Sequence, residues 1–342
     1  MRELFTYENV IGRKSSDSHL DLYGSEDLAG ERILITGAGG SIGSKIALAI
    51  SGYKGSHLLA TDRDENRLHS LSLDLLGSAL FNSQEFQVLD VKDALGVELC
   101  VANFQPTIII HAAALKHLAV LENQPREAYL TNVIGTHNVL KTAMKFNTRK
   151  FLNISTDKAA NPISILGKSK YIGELLTAKY GELSKNNFMS VRFGNVFNSQ
   201  GSVIETFARQ LGFNLPVTLT DINVSRYFMK IEEAASLCLS ALFLNNSAVY
   251  MLDMGEPIKL IEIIQKMKNI SGSDSEIQVV GLRPGEKLSE DLYSKKEEIT
   301  NTSHPSIKLI KSEYFYSKIP ELSLSVANNQ DAQYRIESLI PK

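Results

Sequence analysis

Thr156, Asp157 and Lys158 place a hydroxyl, a carboxylate and an ammonium side by side, and Lys170 follows downstream in the run NISTDKAANPISILGKSKYIGE. They come directly after FLNIS (151–155), an apolar, β-branched stretch that reads as a strand. The C-terminal ends of strands are where doubly wound parallel sheets place their ligands. A carboxyl and an amine there can give and take protons if burial and neighbouring charge move their pKa values toward neutrality. A Thr-Asp-Lys turn can equally serve as a cap for the next element, so its chemistry depends on what else the fold brings to it.

A second cluster lies in ILITGAGGSIGSKIA, where Gly37, Gly40 and Gly43 follow one strand and open a helix. Glycines at this spacing let the chain turn tightly and approach a pyrophosphate, whose charge rests on free N–H groups at the helix N-terminus. Ser41 and Ile42 belong to the same turn. Asp62, ending the second strand, stands where a carboxylate accepts from adenosine ribose hydroxyls, which favours NAD. The adjacent Arg63 leaves NADP open. Asp90 is expected to end the third strand near the adenine, with Val91 beside it. Ala112 and Ala113, following the fourth strand, and Lys170 complete the expected cofactor contacts.

These residues need a scaffold, and the sequence supplies one. From Arg32 onward, short strands at 33–36, 57–61, 86–90, 107–111, 151–155 and 189–193 alternate with helical stretches at 41–50, 65–77, 94–104, 128–146 and 167–183. This is the pattern of βαβ units and predicts an α/β fold: a doubly wound parallel-sheet Rossmann domain with a smaller α/β C-terminal substrate-binding lobe. The expected division is a poorly structured lead-in at 1–30, the dinucleotide-binding domain at 31–194 and the smaller lobe at 195–342, with some segments returning to the main core. In that lobe we expect helices at 203–212, 231–243 and 258–268 and strands at 216–219 and 249–253; little periodicity is legible after Glu298.

With 342 residues and 43% hydrophobic content, the chain can bury a large core. Its 36 basic and 38 acidic side chains nearly cancel, which argues against nucleic acid or a membrane surface as partner. Cys100 and Cys238 alone give neither a disulfide framework nor a metal site. No apolar stretch reaches about 18 residues and no signal peptide is evident, so the expected location is cytoplasmic. A homo-oligomer is the expected assembly, with 128–146 as a candidate interface.

Seven stretches occur in order along the chain: TGAGGSIGS (36–44), HAAALKHLAVLENQPREAYLTNVIGT (111–136), STDKAANP with GKSK (155–170), RFGNVFNSQGSVI (192–204), SRYFM (225–229), LDMGEP (252–257) and GLRPGEKLSEDL (281–292). In these the chain resembles the UDP-N-acetylglucosamine 4,6-dehydratase family, a polysaccharide-biosynthesis branch of the extended short-chain dehydrogenases/reductases. VIGR (10–13) is similar to the lead-in to the soluble part of the long, membrane-anchored members, and no stretch of this sequence is expected to match their membrane part. Short members carry Tyr-x-x-x-Lys; here Leu166 holds the tyrosine position and Lys170 the lysine. Tyr171 cannot substitute, because it is turned by about 100° from Leu166 on a helix. Long members are similar to this chain in having an apolar residue there.

The resemblance implies a UDP-sugar substrate that loses hydride from carbon 4, then water across carbons 5 and 6, and regains hydride at carbon 6. It further implies that Lys158 removes the carbon 5 proton, that Asp157 protonates the departing hydroxyl, and that Thr156 serves the carbon 4 oxygen. Base action would need the Lys158 pKa lowered by partial burial and a second cation, for which Lys170 is a candidate. Lys116 and His117 would flank the sugar and nicotinamide, Asn195 the diphosphate, and Arg226, Arg283 and Glu286 the nucleotide, with Val203 also at the substrate. His111 and Asn132 lie in the segment of strongest resemblance, where functional and structural roles are equally open; for His111, helix capping or backbone hydrogen bonding is expected. The alternatives are a nucleotide-sugar epimerase and a non-catalytic dinucleotide-binding protein.

Overall fold

The computed structural model describes residues 4–13, 28–53, 55–78, 85–244, 248–312 and 322–341. Six parallel strands carry the fold: β1 (Arg32–Thr36), β2 (His57–Asp62), β3 (Phe86–Val88), β4 (Ile108–His111), β5 (Lys150–Ile154) and β6 (Asn187–Arg192). In β1, β4, β5 and β6 the residues are largely aliphatic or aromatic, as strands buried on both faces must be, whereas β3 lies at the sheet edge and is mostly exposed. Alternate residues feed opposite cores. Ile33, Ile35, Ile108 and Ile110 join one apolar cluster, whereas Leu34, Leu59, Ile109 and Phe151 join the other.

β1 lies between β2 and β4, so the chain reverses its direction of travel across the sheet there. The ends of β1 and β4 therefore flank the crevice in which such sheets bind ligands. The full sheet has nine strands, running 298–301, 307–311, 249–252, β6, β5, β4, β1, β2, β3. Val249–Leu252 pairs parallel with β6, while Ile307–Lys311 and Glu298–Asn301 extend the edge antiparallel. The weak periodicity after Glu298 thus conceals two strands and a helix, Asn329–Ser338.

Several expected bounds change. The third strand stops at Val88, which leaves Asp90 in the following turn, where Oδ1 accepts from the Lys92 N–H at 3.0 Å. The single helix expected over 128–146 is instead a short helix Pro125–Ala128, a seven-residue π-helix Tyr129–Gly135 and a helix Thr136–Lys145. Of the expected lead-in, residues 1–3 and 14–27 lie outside the described residues. Residues 4–13 are not poorly structured: Tyr7–Val10 is helical, and Phe5, Tyr7, Val10 and Ile11 are buried with Ile204, Phe207, Phe228 and Ile264. Arg13 ends this segment by donating to the carbonyls of Met254 and Glu256.

Candidate active site

The glycine turn is shaped by contacts that leave no room for side chains. Gly37 has φ +69, and a Cβ on it would lie 2.6 Å from the Ala113 backbone. A Cβ on Gly43 would lie 2.3 Å from the Gly37 carbonyl oxygen, which only a backbone shift could relieve. Gly40 is the N-cap of the helix Ser41–Ser51 and offers no capping side chain, so the helix's first N–H groups remain for an external acceptor. These features fit a dinucleotide pyrophosphate. Gly43→Val is expected to abolish dinucleotide binding while the rest of the fold persists, checked by calorimetric titration and circular dichroism; tight binding by a folded variant would contradict the assignment.

Asp62 is buried at the end of β2; Oδ2 accepts from the Gly39 N–H at 3.0 Å and Oδ1 from the Asp64 N–H at 3.0 Å. The carboxylate is thereby fixed beside the glycine turn. Arg63 is exposed. The arginine packed on the turn is Arg67, whose Cβ would be 2.4 Å from a Cβ on Gly39. Arg67 lies in the first turn of the helix Glu65–Leu76 and was not singled out from the sequence. Val91 is buried and its carbonyl accepts from Asn138, while Asp90 pairs with Lys92 at 3.6 Å.

Loop 198–202 crosses this turn. Lys116 Nζ donates to the Gln200 carbonyl at 2.7 Å, and the Gln200 N–H donates to Ser41 Oγ at 3.1 Å. His117 packs on Gly201, where a Cβ would be 2.6 Å from the ring. Desolvation first, and Arg67 among the nearby cations, hold both Lys116 and His117 below their ordinary pKa values. Val203 begins the helix that follows this loop, capped by Ser202.

The π-helix explains how Lys116 and His117 are presented. Widening the turn by a residue lets Asn132 reach Leu115, accepting from its N–H at 2.8 Å and donating to its carbonyl at 3.0 Å. Asn132 also donates to Ser169 Oγ at 3.0 Å, tying the loop to the helix Ile165–Ser184. His111 bonds two hydroxyls, Thr36 at 2.7 Å and Thr136 at 2.9 Å, rather than a backbone group or helix end. Burial, aided by the Lys170 charge, pushes its pKa down to about 3, so the imidazole is neutral.

At the end of β5, Thr156 Oγ1 donates to Asp157 Oδ1 at 3.0 Å, and Lys158 Nζ donates to the same oxygen at 3.0 Å. Asp157 is 0% exposed, and its Oδ2 has no hydrogen-bond partner among the described residues. A buried acceptor without a partner is costly, and none of the described residues supplies the hydrogen that would compensate it. Gly194 borders that oxygen: a Cβ there would approach Oδ2 to 2.9 Å. Gly167 makes the next helix approach equally close, since its Cβ would lie 2.2 Å from the Lys158 carbonyl oxygen.

The expectation of a lowered Lys158 pKa is corrected. Although desolvation is the largest influence and lowers it, the carboxylates of Asp157 and Glu290 outweigh it and hold the ammonium above its ordinary value. The cation acting against them is Arg226 rather than Lys170. Lys170 itself is buried and pushed down to about 8 by desolvation, partly opposed by Glu174. One turn before it, Leu166 is 4% exposed within the core and presents no polar group in the tyrosine position.

The expected nucleotide residues form a connected group. Buried Arg226 donates to Glu286 Oε1 at 3.2 Å and to the carbonyls of Ser225 and Leu288. Glu286 Oε2 accepts from the Arg283 N–H at 3.3 Å, while the Arg283 side chain is exposed. Asn195 pairs its backbone with Tyr227, which sets it beside the strand carrying Arg226. Glu290, on the same segment as Glu286, was not singled out from the sequence, although it pairs with Lys158 at 3.4 Å.

A glycine cradle at the first βα turn, an acidic residue ending the second strand and a proton-bearing cluster at the fifth define a dinucleotide-binding protein of the Rossmann fold. Residues 33–312 match the model of the polysaccharide biosynthesis protein family, and the chain belongs to that family. It is 36% identical over 313 residues to the probable polysaccharide biosynthesis protein EpsC of Bacillus subtilis, covering 89% of this chain and 52% of that protein. The chain thus spans about half the length of that relative. It is 30% identical over 305 residues to a UDP-N-acetylglucosamine 4,6-dehydratase (inverting) of Campylobacter jejuni, covering 84% of this chain and 87% of the other. The fold is shared with the UDP-glucose 4-epimerase of Thermus thermophilus, solved in complex with NAD, at TM-score 0.66 and 24% identity, over 76% of this chain and 89% of that one. No helix among the described residues is long and apolar enough to cross a membrane.

Proposed function

We propose that the chain is the catalytic part of a nucleotide-sugar 4,6-dehydratase acting on UDP-N-acetylglucosamine or a close relative, in polysaccharide biosynthesis. The observation that carries this reading is the Asp157–Lys158 pair at the end of β5, with one carboxylate oxygen bonded and the other unpartnered. Exchange of configuration at one carbon has no need of an acid and base aimed at the next two. The Campylobacter jejuni relative supports dehydration, and the family supports the biosynthetic setting. Apolar Leu166 and the half-length match to EpsC support a place beside the catalytic part of the long members.

The cofactor is NAD, held by Gly37, Gly40, Ser41, Ile42 and Gly43 at the pyrophosphate and by Asp62 at the adenosine ribose. The fixed Asp62 carboxylate would repel a 2′-phosphate. Asp90 and Val91 lie toward the adenine, and Ala112, Ala113 and Lys170 toward the nicotinamide end. Bound NAD supplies a hydride acceptor that can return the hydride to the same substrate. Thr156, donating to Asp157, takes the tyrosine's part at the carbon 4 oxygen. Asp157 receives the carbon 4 hydroxyl proton through Thr156 and passes it to the departing carbon 6 hydroxyl, and Lys158, once its ammonium proton is released, removes the carbon 5 proton. Lys116, His117 and Val203 border the sugar, while Asn195, Arg226, Arg283 and Glu286 serve the diphosphate and nucleoside.

The purified protein incubated with UDP-N-acetylglucosamine, without added cofactor, is expected to yield a product about 18 mass units lighter with no net reduced cofactor. Unchanged mass with altered sugar stereochemistry would replace this reading with epimerisation. Dinucleotide binding without any turnover of UDP-sugars would replace it with a non-catalytic role.

A further inference from the structure

Lys158 is gripped by two carboxylates that come from distant parts of the chain. Asp157 Oδ1 is 3.0 Å from its Nζ and Glu290 Oε1 is 3.4 Å away. The Glu290 side chain is only 3% exposed. A carboxylate taken that far out of water is tolerated where a cation compensates it. Here the compensating cation is the one that the proposed chemistry needs as a base.

Segment 281–292 is fastened on both sides of Glu290. Before it, the Leu288 carbonyl accepts from Arg226 at 3.1 Å and from the Ser225 N–H at 2.8 Å. Around it, Lys287 donates to the Ala160 carbonyl at 3.2 Å and to Asp291 at 3.1 Å, and Asp291 also accepts from Asn161 at 3.2 Å. Ala160 and Asn161 directly follow the Thr-Asp-Lys turn, so the segment is anchored to the turn whose lysine it meets. This placement is more than a surface ion pair requires.

We propose that Glu290 is a positioning residue for the reaction: its carboxylate fixes the Lys158 ammonium in the free enzyme and sets the pH at which that amine becomes available as a base. The charged groups acting on Lys158 are Asp157 on its own turn, Glu290 on segment 281–292 and Arg226 on the strand Ser225–Arg226. Asp157 and Glu290 favour the ammonium and Arg226 opposes it. Removing the Glu290 charge therefore leaves Lys158 more easily deprotonated. The catalytic half of the inference rests on the dehydratase reading, while the electrostatic half does not.

Two measurements separate these halves. Lysine reactivity toward formaldehyde and cyanoborohydride at fixed pH, read by peptide mass spectrometry and normalised to Lys295, follows the neutral amine fraction without any sugar. Glu290→Gln is expected to raise labelling of Lys158 by roughly tenfold for each unit its pKa falls. Glu290→Asp, which keeps the charge, is expected to label like wild type. Equal labelling in wild type and Glu290→Gln would overturn the proposal, and so would equal increases in both variants, which would report loosened packing. With UDP-N-acetylglucosamine, the acidic limb of kcat/KM, which reports free-enzyme groups, is expected to move to lower pH in Glu290→Gln. An unmoved limb beside faster labelling would overturn the catalytic half alone, and absence of dehydration by wild type would overturn the dehydratase reading while leaving the labelling result intact.

Discussion

Lys158→Ala is expected to lower turnover of UDP-N-acetylglucosamine by about 10²–10⁴-fold, the usual contribution of one positioned acid or base. Asp157→Asn is expected to lose a similar factor. The two losses should not add. Both side chains share one hydrogen bond at Asp157 Oδ1, so removal of either disorganises the other. Dinucleotide retention should be unaffected, because the glycine cradle is built from β1, Ala112, Ala113 and the helix Ser41–Ser51. Single-turnover mass spectrometry of the singles and the double variant, each checked for bound dinucleotide, tests this. Wild-type turnover in either single variant would refute the assigned chemistry.

The parts of this site that the sequence displayed were those in which residue type is forced locally. Gly37 and Gly43 are glycines because neighbouring backbone occupies the space of a Cβ. The strand runs were legible because burial on both faces removes polar residues. Glu290 was hidden because a carboxylate in a polar, exposed-looking segment has no local mark; only the fold brings it to Lys158. The same is true of Lys158's protonation, which expected burial alone would lower but which two carboxylates reverse. The π-helix at Tyr129–Gly135 left no periodic trace either, since apolar residues on a helix of wider turn read as an ordinary amphipathic run. Glu298–Asn301 and Tyr7–Val10 were too short and polar to register, and become strand and helix through the elements they meet.

Arg192→Met is expected to destabilise the protein by about 3–5 kcal/mol, the cost of leaving buried carboxylates without their cation. Arg192 is 0% exposed and sits at the end of β6. It donates to Glu174 at 2.8 and 2.6 Å and to Glu297 at 2.9 and 2.8 Å, and the two carboxylates drive its pKa up despite burial. Denaturant unfolding should show a lower midpoint with little change in slope. Replacing Glu174 by Gln in the same background should cost less than it does in wild type, because the charge it removes is already uncompensated. The cluster also reaches the site: Glu174 accepts from Ser155, whose neighbour is Thr156. Glu174 lies on the helix that carries Lys170 one turn earlier, so this buried group fixes the β5 end, that helix and β6 against one another. Arg192→Met should consequently lower turnover even where the protein remains folded, whereas an equally destabilising cavity far from β5 should not. Equal turnover per folded molecule in the two variants would show that the cluster supports the fold without positioning the catalytic turn.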